Sequence, residues 1–371
     1  MRIGLYGGPL AGIQTGIGRY VREMCVRLDT ELPEAEFFVY APRAPTLELP
    51  SSRWTYRESF RGARWLSGYG WLKFASGRQI RKDELDAFWA TRTLLPTLSD
   101  VTGTVSTVYD LNHVVVPETM TLVNRIAHAI WFDRDIRRSD QVVSISAGTA
   151  MRLERYLGRV SDAIATPGTD DRYVAASEIQ IEDVLSRHGL SKPYLLAVGT
   201  IEPRKNLAML VDAFGALRRA GKIRTHSLAL VGPTGWKQAQ LARGQNDDVS
   251  GIAALGYVPE ADLPALYSGS DLFVIPSLYE GYGIPAAEAR ACGARVLASD
   301  LPELREAGGL NARYVSPTLD GLMEGIVAAL SDSRPSPERL SSWDRSVQEL
   351  AGALIQAAAI GKARVKAKMK P

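Results

Sequence analysis

Short apolar, β-branched runs alternate with longer amphipathic stretches along the chain. In the first half these runs are RIGLYG (2–7), EFFVYAP (36–42), DAFWAT (86–91), VSTVYDL (105–111), QVVSIS (141–146) and DAIATPG (162–168). In the second half they are YLLAVG (194–199), SLALVG (227–232), IAALGYV (252–258), DLFVIP (271–276), ARVLAS (294–299) and ARYVSP (312–317). Strands alternating with helices of about ten residues or more imply parallel sheets joined by right-handed crossovers. The pattern therefore predicts an α/β chain of two doubly wound units. The two series meet near DRYVAASEIQIEDVLSRHGLSKP, which places the division at 1–174 and 175–342. From 343 to 371 the pattern is wholly helical and ends in a basic tail, GKARVKAKMKP, read as a solvated end. A ligand is expected in a crevice between the two units, at the carboxyl ends of their strands.

Composition agrees with this division. A length of 371 residues exceeds one ordinary core, and about 150 residues per domain gives two. With 46% hydrophobic and 23% charged residues, the chain has the make-up of a soluble globular protein. MRIGLYGG runs directly into a strand pattern with no leader, and no charge-free apolar run reaches about 18 residues. The expected location is the cytosol, with a peripheral position on the inner face of the cell membrane as an extension. Cys25 and Cys292 stand far apart in apolar helical contexts, as buried free thiols do.

Net charge is only +3, but it is unevenly spread. Between 53 and 82, Arg53, Arg57, Arg61, Arg64, Lys73, Arg78, Arg81 and Lys82 face one acid, Glu58. Trp54, Tyr56, Phe60, Trp65, Tyr69, Trp71 and Phe74 are interleaved with them. Such a mixture suits an anionic bilayer surface, which is the preferred reading. The other readings are plain packing of the rings on the domain and, last, nucleic acid.

The stretch SLYEGYGIPAAEARACGARVLASD carries the most specific chemistry. It reads as a turn after the DLFVIP strand, with Glu280 on the turn, a helix opening at Pro285, and Glu288 in the first helical turn. Gly281 and Gly283 allow close backbone approach, and a helix start offers N–H groups and partial positive charge to an anion. A phosphate suits that place, whereas the two carboxylates suit hydroxyls. Hydroxyls and phosphate together point to a nucleotide sugar. The plainer alternative is a solvated Glu280 and a Glu288 that only favours the helix end.

Three further segments add to the case. VGTIEPRKNLAMLVDAF ends the first strand of the second unit with adjacent Arg204 and Lys205, a guanidinium fork and a point charge suited to a diphosphate. In GGPLAGIQTGIGRYV, Gly16 and Gly18 precede a helix expected near Arg19. That segment lacks the third glycine of a dinucleotide fingerprint. VSTVYDLNHVVVPE sets Tyr109, Asp110 and His113 past a strand end, although a lone histidine there is more often structural. Asp133-Arg134-Asp135 spells a D-x-D string but reads as helix interior, so no metal is expected.

Taken together, TGIGRYV, VVSISAGTA, ATPGTDDRYV, VGTIEPRKNL, LGYVPEADLPALY and SLYEGYGIPAAEARACGARVLASDLPELREAGG resemble the family-4 retaining glycosyltransferases of the GT-B fold over nearly the whole chain. The resemblance implies two Rossmann-like domains facing across a cleft, acceptor side first and donor side second. It implies that Glu280 contacts donor-sugar hydroxyls, Glu288 the ribose, and Arg204 and Lys205 the diphosphate. Gly16 would lie by the distal phosphate, backbone at Tyr282, Gly283 and Ile284 would cradle the donor, and residues Gly256 to Val258 would line the base. The closing helices near Trp343 are similar to those that cross back onto the first domain. One departure stands out: Tyr109-Asp110 replaces the usual histidine-aspartate pair, which raises a 6-deoxyhexose such as rhamnose as donor sugar.

The expected activity is transfer of a hexose, with retention and without a metal or cofactor, from a nucleoside diphosphate sugar, GDP-linked by preference. The acceptor is expected to be a hydroxyl of a lipid-linked glycan or oligosaccharide in surface polysaccharide synthesis, with no nucleic acid partner. The rival readings are a glycoside hydrolase using Glu280 and Glu288 and a non-catalytic nucleotide-sugar or lipid-binding protein. A dehydrogenase ranks below both.

Overall fold

The computed structural model describes residues 1–11, 16–46, 48–58, 68–98, 102–233 and 251–368. The chain forms two compact units, one of residues 1–113, 120–168 and 341–371, the other of 114–119 and 169–340. The division thus follows Gly168 rather than residue 174, and the chain returns to the first unit with Ser341.

The first unit holds a sheet of seven strands: β1 (Arg2–Tyr6), β2 (Glu36–Ala41), β3 (Trp54–Glu58), β4 (Ala87–Ala90), β5 (Gly103–Val108), β6 (Gln141–Ser144) and β7 (Ala163–Ile164). Their order is β3-β2-β1-β4-β5-β6-β7, and every pairing is parallel. Burial on both faces explains the continuous apolar runs of β2 and β4. The helix Trp343–Lys368 lies so close to β5 that a Cβ on Gly103 would sit 2.0 Å from the Ala357 carbonyl oxygen. Glycine at 103 is what permits that approach. Trp343 is buried at the head of this helix, its ring 5.8 Å from that of Tyr20. The basic tail is helical to Lys368; Lys362, Lys366 and Lys368 are exposed, as a solvated end requires, while Arg364 is bonded to Asp140.

The second unit holds β8 (Tyr194–Val198), β9 (Ser227–Val231), β10 (Ile252–Gly256), β11 (Leu272–Ile275), β12 (Val296–Ser299) and β13 (Arg313–Val315). Their order is β10-β9-β8-β11-β12-β13, again all parallel. The strand order reverses between β8 and β11, so the loops that follow these two strands lie side by side at a topological switch point. The helix Leu207–Arg219 turns Leu210, Phe214 and Leu217 into the core of this unit. Cys25 and Cys292 are buried free thiols.

The fold class agrees with the sequence pattern, with two local differences. β3 falls inside the basic aromatic stretch. Trp54 stacks on Phe37 with ring centroids 4.1 Å apart, Arg53 pairs with Asp29 and Arg57 with Asp83. Trp71 is buried too, so packing accounts for this part of the stretch. Phe60, Arg61, Arg64 and Trp65 lie outside the described residues. The second difference is the helix expected near Arg19, which already begins at Gly16; Gly16 and Gly18 therefore belong to its first turn.

Candidate active site

Glu280 is the centre of a buried ion cluster at the switch point of the second unit. After β11 the chain leaves the sheet through Pro276 and Ser277, and Glu280 turns inward until only 4% of it is exposed. Lys205 Nζ donates to its Oε1 at 2.6 Å, Ser277 Oγ to the same oxygen at 2.6 Å, and Arg204 Nη1 to Oε2 at 2.7 Å. Arg204 also donates to the Tyr279 carbonyl at 2.7 Å and, through Nη2, to Glu202 Oε1 at 2.6 Å. Burial pushes the Glu280 carboxyl toward the neutral form, but the charges of Arg204 and Lys205 outweigh it and hold the pKa at about 2. Glu280 is therefore a carboxylate at neutral pH. It can accept a hydrogen bond there but has no proton to donate.

The loops that carry these groups are set by backbone bonds. Pro203–Lys205 forms a single 3-10 turn after β8, closed by Asn206 in the left-handed region at φ 53°. The Leu278 N–H donates to the Arg204 carbonyl at 2.8 Å, which ties the β11 loop to the β8 loop. Neighbouring strand ends come equally close: Gly199 N–H donates to the Val231 carbonyl at 2.8 Å and Gly232 N–H to the Gly256 carbonyl at 2.7 Å.

The helix Ile284–Ala291 opens directly beyond this cluster. Gly283 is its N-cap at φ 105°, a conformation that favours glycine, and a Cβ there would lie 2.5 Å from Leu304 Cδ2. Pro285 occupies the second helical position, so Glu288 falls one residue beyond the first turn and not within it, as the sequence suggested. Glu288 is buried, and the Tyr267 hydroxyl donates to its Oε2 at 3.0 Å. Tyr282 is buried as well, and Ile284 is partly exposed. The Val258 side chain is buried, whereas its neighbour Tyr257 is 72% exposed.

In the first unit, Tyr109 is buried edge-on against Tyr20, 5.5 Å between ring centroids, and its hydroxyl has no hydrogen-bond partner among the described residues. Asp110 Oδ1 accepts from the Asn112 N–H at 3.0 Å. His113 packs on Phe132 with centroids 4.2 Å apart and stands 5.1 Å from His128. Burial lowers both histidines to a pKa of about 4, so both are neutral near pH 7. Asp133 accepts from the Tyr156 hydroxyl at 3.1 Å, while Asp135 is buried against Lys73. The two aspartates of the D-x-D string thus serve different partners.

Ser277, Glu202, Tyr267 and His128 were not picked out by sequence reasoning. Serine three places before Glu280 and glutamate two places before Arg204 were visible signals. Nothing in the local sequence pairs Tyr267 with Glu288 or His113 with His128.

Residues 192–332 match the family model described as glycosyl transferases group 1. The chain is 33% identical over 199 residues to the O-antigen chain mannosyltransferase B of Escherichia coli, a match that covers 52% of this chain and 51% of that one. It therefore spans about half the length of that curated relative. Sucrose-phosphate synthase from Thermosynechococcus elongatus superposes with a TM-score of 0.68 at 18% identity, covering 98% of each chain. HepE from Anabaena, solved with UDP and glucose, superposes with a TM-score of 0.64 at 17% identity over 98% of this chain and 95% of that one. Residues 192–332 thus match the group 1 glycosyltransferase model, and the chain as a whole carries the two-sheet α/β GT-B fold.

Proposed function

We propose that the chain is a retaining glycosyltransferase that moves a hexose, mannose by preference, from a nucleoside diphosphate sugar to a hydroxyl of a glycan acceptor. A GDP-linked donor and a lipid-linked acceptor in surface polysaccharide synthesis are part of this reading. The observation that carries it is the ionised Glu280 held by Arg204, Lys205 and Ser277 beside the helix start at Gly283. A carboxylate offers about four acceptor positions, of which these three donors use three. The remaining one suits a sugar hydroxyl.

In the transfer, the acceptor oxygen forms a bond to the anomeric carbon as the bond from that carbon to the diphosphate oxygen breaks. The acceptor proton passes to the departing diphosphate. Arg204, Lys205 and the helix start stabilise the charge that grows on that leaving group. Those groups meet its charge without a metal ion. The name of the Escherichia coli relative supports a mannosyl donor and an O-antigen type of product, and HepE supports a nucleotide at a site of this fold. A Glu280 pKa of about 2 removes it as the general acid of the hydrolase reading, which would have to use it as the nucleophile and Glu288 as the acid.

Calorimetry of the purified chain with GDP-mannose, UDP-glucose and dTDP-rhamnose tests the donor, and NMR of the product tests retention. Rhamnose belongs in the screen because Tyr109 stands where a histidine is usual. GDP-mannose is expected to bind and to yield an α-linked product. Failure of all three donors to bind, or an inverted product, would overturn the proposal.

A further inference from the structure

The helix Leu122–Arg138 turns a stripe of large apolar side chains outward. Leu122 is 70% exposed, Val123 74%, Ile126 49% and Ile130 58%. Leu122, Ile126 and Ile130 recur at every fourth residue, so they line one edge of the helix over about 12 Å. Beside them, Phe74 is 74% exposed and meets Trp131 edge-on at 6.2 Å between centroids. The opposite side of the same helix carries Ala127, Phe132 and Ile136 into the core. Two faces of one helix are therefore apolar, and among the described residues only one of them has a partner within the unit.

Charge decides what suits the outer face. Arg125 lies within the stripe, Arg134 continues its line one turn beyond Ile130, and Arg137 and Arg138 follow; all four are exposed. The one exposed acid on the helix, Asp133, accepts from the Tyr156 hydroxyl. Lys73, 5.4 Å from the Trp131 ring centroid, is spent on the buried Asp135 and adds no charge to this face. A second copy docked on this face about a twofold axis would bring arginines against arginines. An anionic surface would meet them with opposite charge.

We infer that the outer face of Leu122–Arg138, with Phe74, docks on an anionic lipid bilayer. Leu122, Val123, Ile126, Ile130 and Phe74 enter the boundary between headgroups and acyl chains, and the arginines contact lipid phosphates. Of the basic aromatic stretch between 53 and 82, this surface includes Phe74, whereas Trp54 and Trp71 pack inward. It rests on exposure and charge, not on the transferase reading. The vesicle experiment contains neither donor nor acceptor, so the two proposals fail separately.

The test is flotation of the full chain with vesicles of phosphatidylcholine alone and of phosphatidylcholine mixed with phosphatidylglycerol. The wild type is expected to float with the mixed vesicles and to be released by high salt. Ile126→Ser/Ile130→Ser is expected to lower binding by about tenfold or more. Its far-UV circular dichroism and Tm should match the wild type, since both side chains are exposed. Arg125→Gln/Arg134→Gln is expected to weaken the dependence on phosphatidylglycerol while leaving Tm unchanged. The inference is overturned if the wild type stays with the soluble fraction, if the isoleucine variant floats equally well, or if sedimentation shows a wild-type dimer that this variant makes monomeric.

Discussion

Arg204 donates to Glu280 at 2.7 Å across 76 residues of chain. The contact exists because β8 and β11 are hydrogen-bonded neighbours whose following loops emerge together. Lys205 and Ser277 complete the grip on the carboxylate, and Glu202 balances the second arm of the guanidinium. The cluster holds two cations and two carboxylates, so its net charge is zero in the free chain. Attraction of the proposed diphosphate then depends on the adjacent helix start rather than on bulk positive charge.

Glu280→Ala leaves the largely buried Lys205 without its counter-ion and Arg204 with Glu202 alone. Breaking a buried pair on one side costs about 3–5 kcal/mol, and urea unfolding measures it. Adding Lys205→Met should recover part of that loss. Additive effects in the double-mutant cycle would show that the pair is not coupled.

The same carboxylate gives a signed pH dependence. Its pKa falls from 4.5 to about 2 on folding, so its contribution is fully present above pH 4.5 and is lost as the pH drops through about 2. The contribution near neutral pH is on the order of 3 kcal/mol. Urea midpoints between pH 5 and about 2 should fall more steeply for the wild type than for Glu280→Gln.

Gly283→Ala adds a methyl group 2.5 Å from Leu304 Cδ2 at a φ of 105°. The expected destabilisation is about 1–3 kcal/mol, with weaker donor binding by calorimetry. Leu304→Ala in the same chain removes the contact but not the backbone strain, so only part of the loss in donor affinity should return.

Tyr267→Phe removes the hydroxyl that donates to Glu288 Oε2. A buried acceptor left without its donor costs about 1–3 kcal/mol. If Glu288 holds the ribose, GDP affinity should also drop by roughly tenfold as the carboxylate loses its orientation. Unchanged GDP binding would separate Glu288 from the nucleotide.

Gly103→Ala and Gly352→Ala form a matched pair. The first would set a Cβ 2.0 Å from the Ala357 carbonyl oxygen, while the second meets nothing within 4 Å. Gly103→Ala is expected to cost about 3 kcal/mol or more. Gly352→Ala, inside the helix Trp343–Lys368, should stabilise by about 0.5–1 kcal/mol. Thermal unfolding monitored at 222 nm reads both.

Most strands were legible because a parallel strand buried on both faces must be apolar along its length. β3 escaped because it is an edge strand, and WTYRE alternates a buried Trp54 with an exposed Thr55. The stretch between 53 and 82 divides for a related reason: composition counts aromatic and basic residues but not the side they take, and Phe74 is exposed while Trp54 and Trp71 are buried. Trp54 and Trp71 went inward, whereas the exposed stripe lay on Leu122–Arg138, whose apolar residues looked like ordinary core positions. In one sequence, a helix apolar on two faces cannot be told from one that is buried all round.

By itself, the sequence determined the two α/β units and the residue types at their strand ends, because burial dictates apolar runs and tight turns demand glycine. It placed Glu280, Arg204 and Lys205 on the right turns and Glu288 on the right helix, one residue short of its observed place. Only the tertiary structure decided that Arg204 and Lys205 bond to Glu280 rather than standing open, and that Tyr267 holds Glu288. Those pairings depend on the reversal of strand order between β8 and β11 and on the packing between helices, which no local pattern encodes.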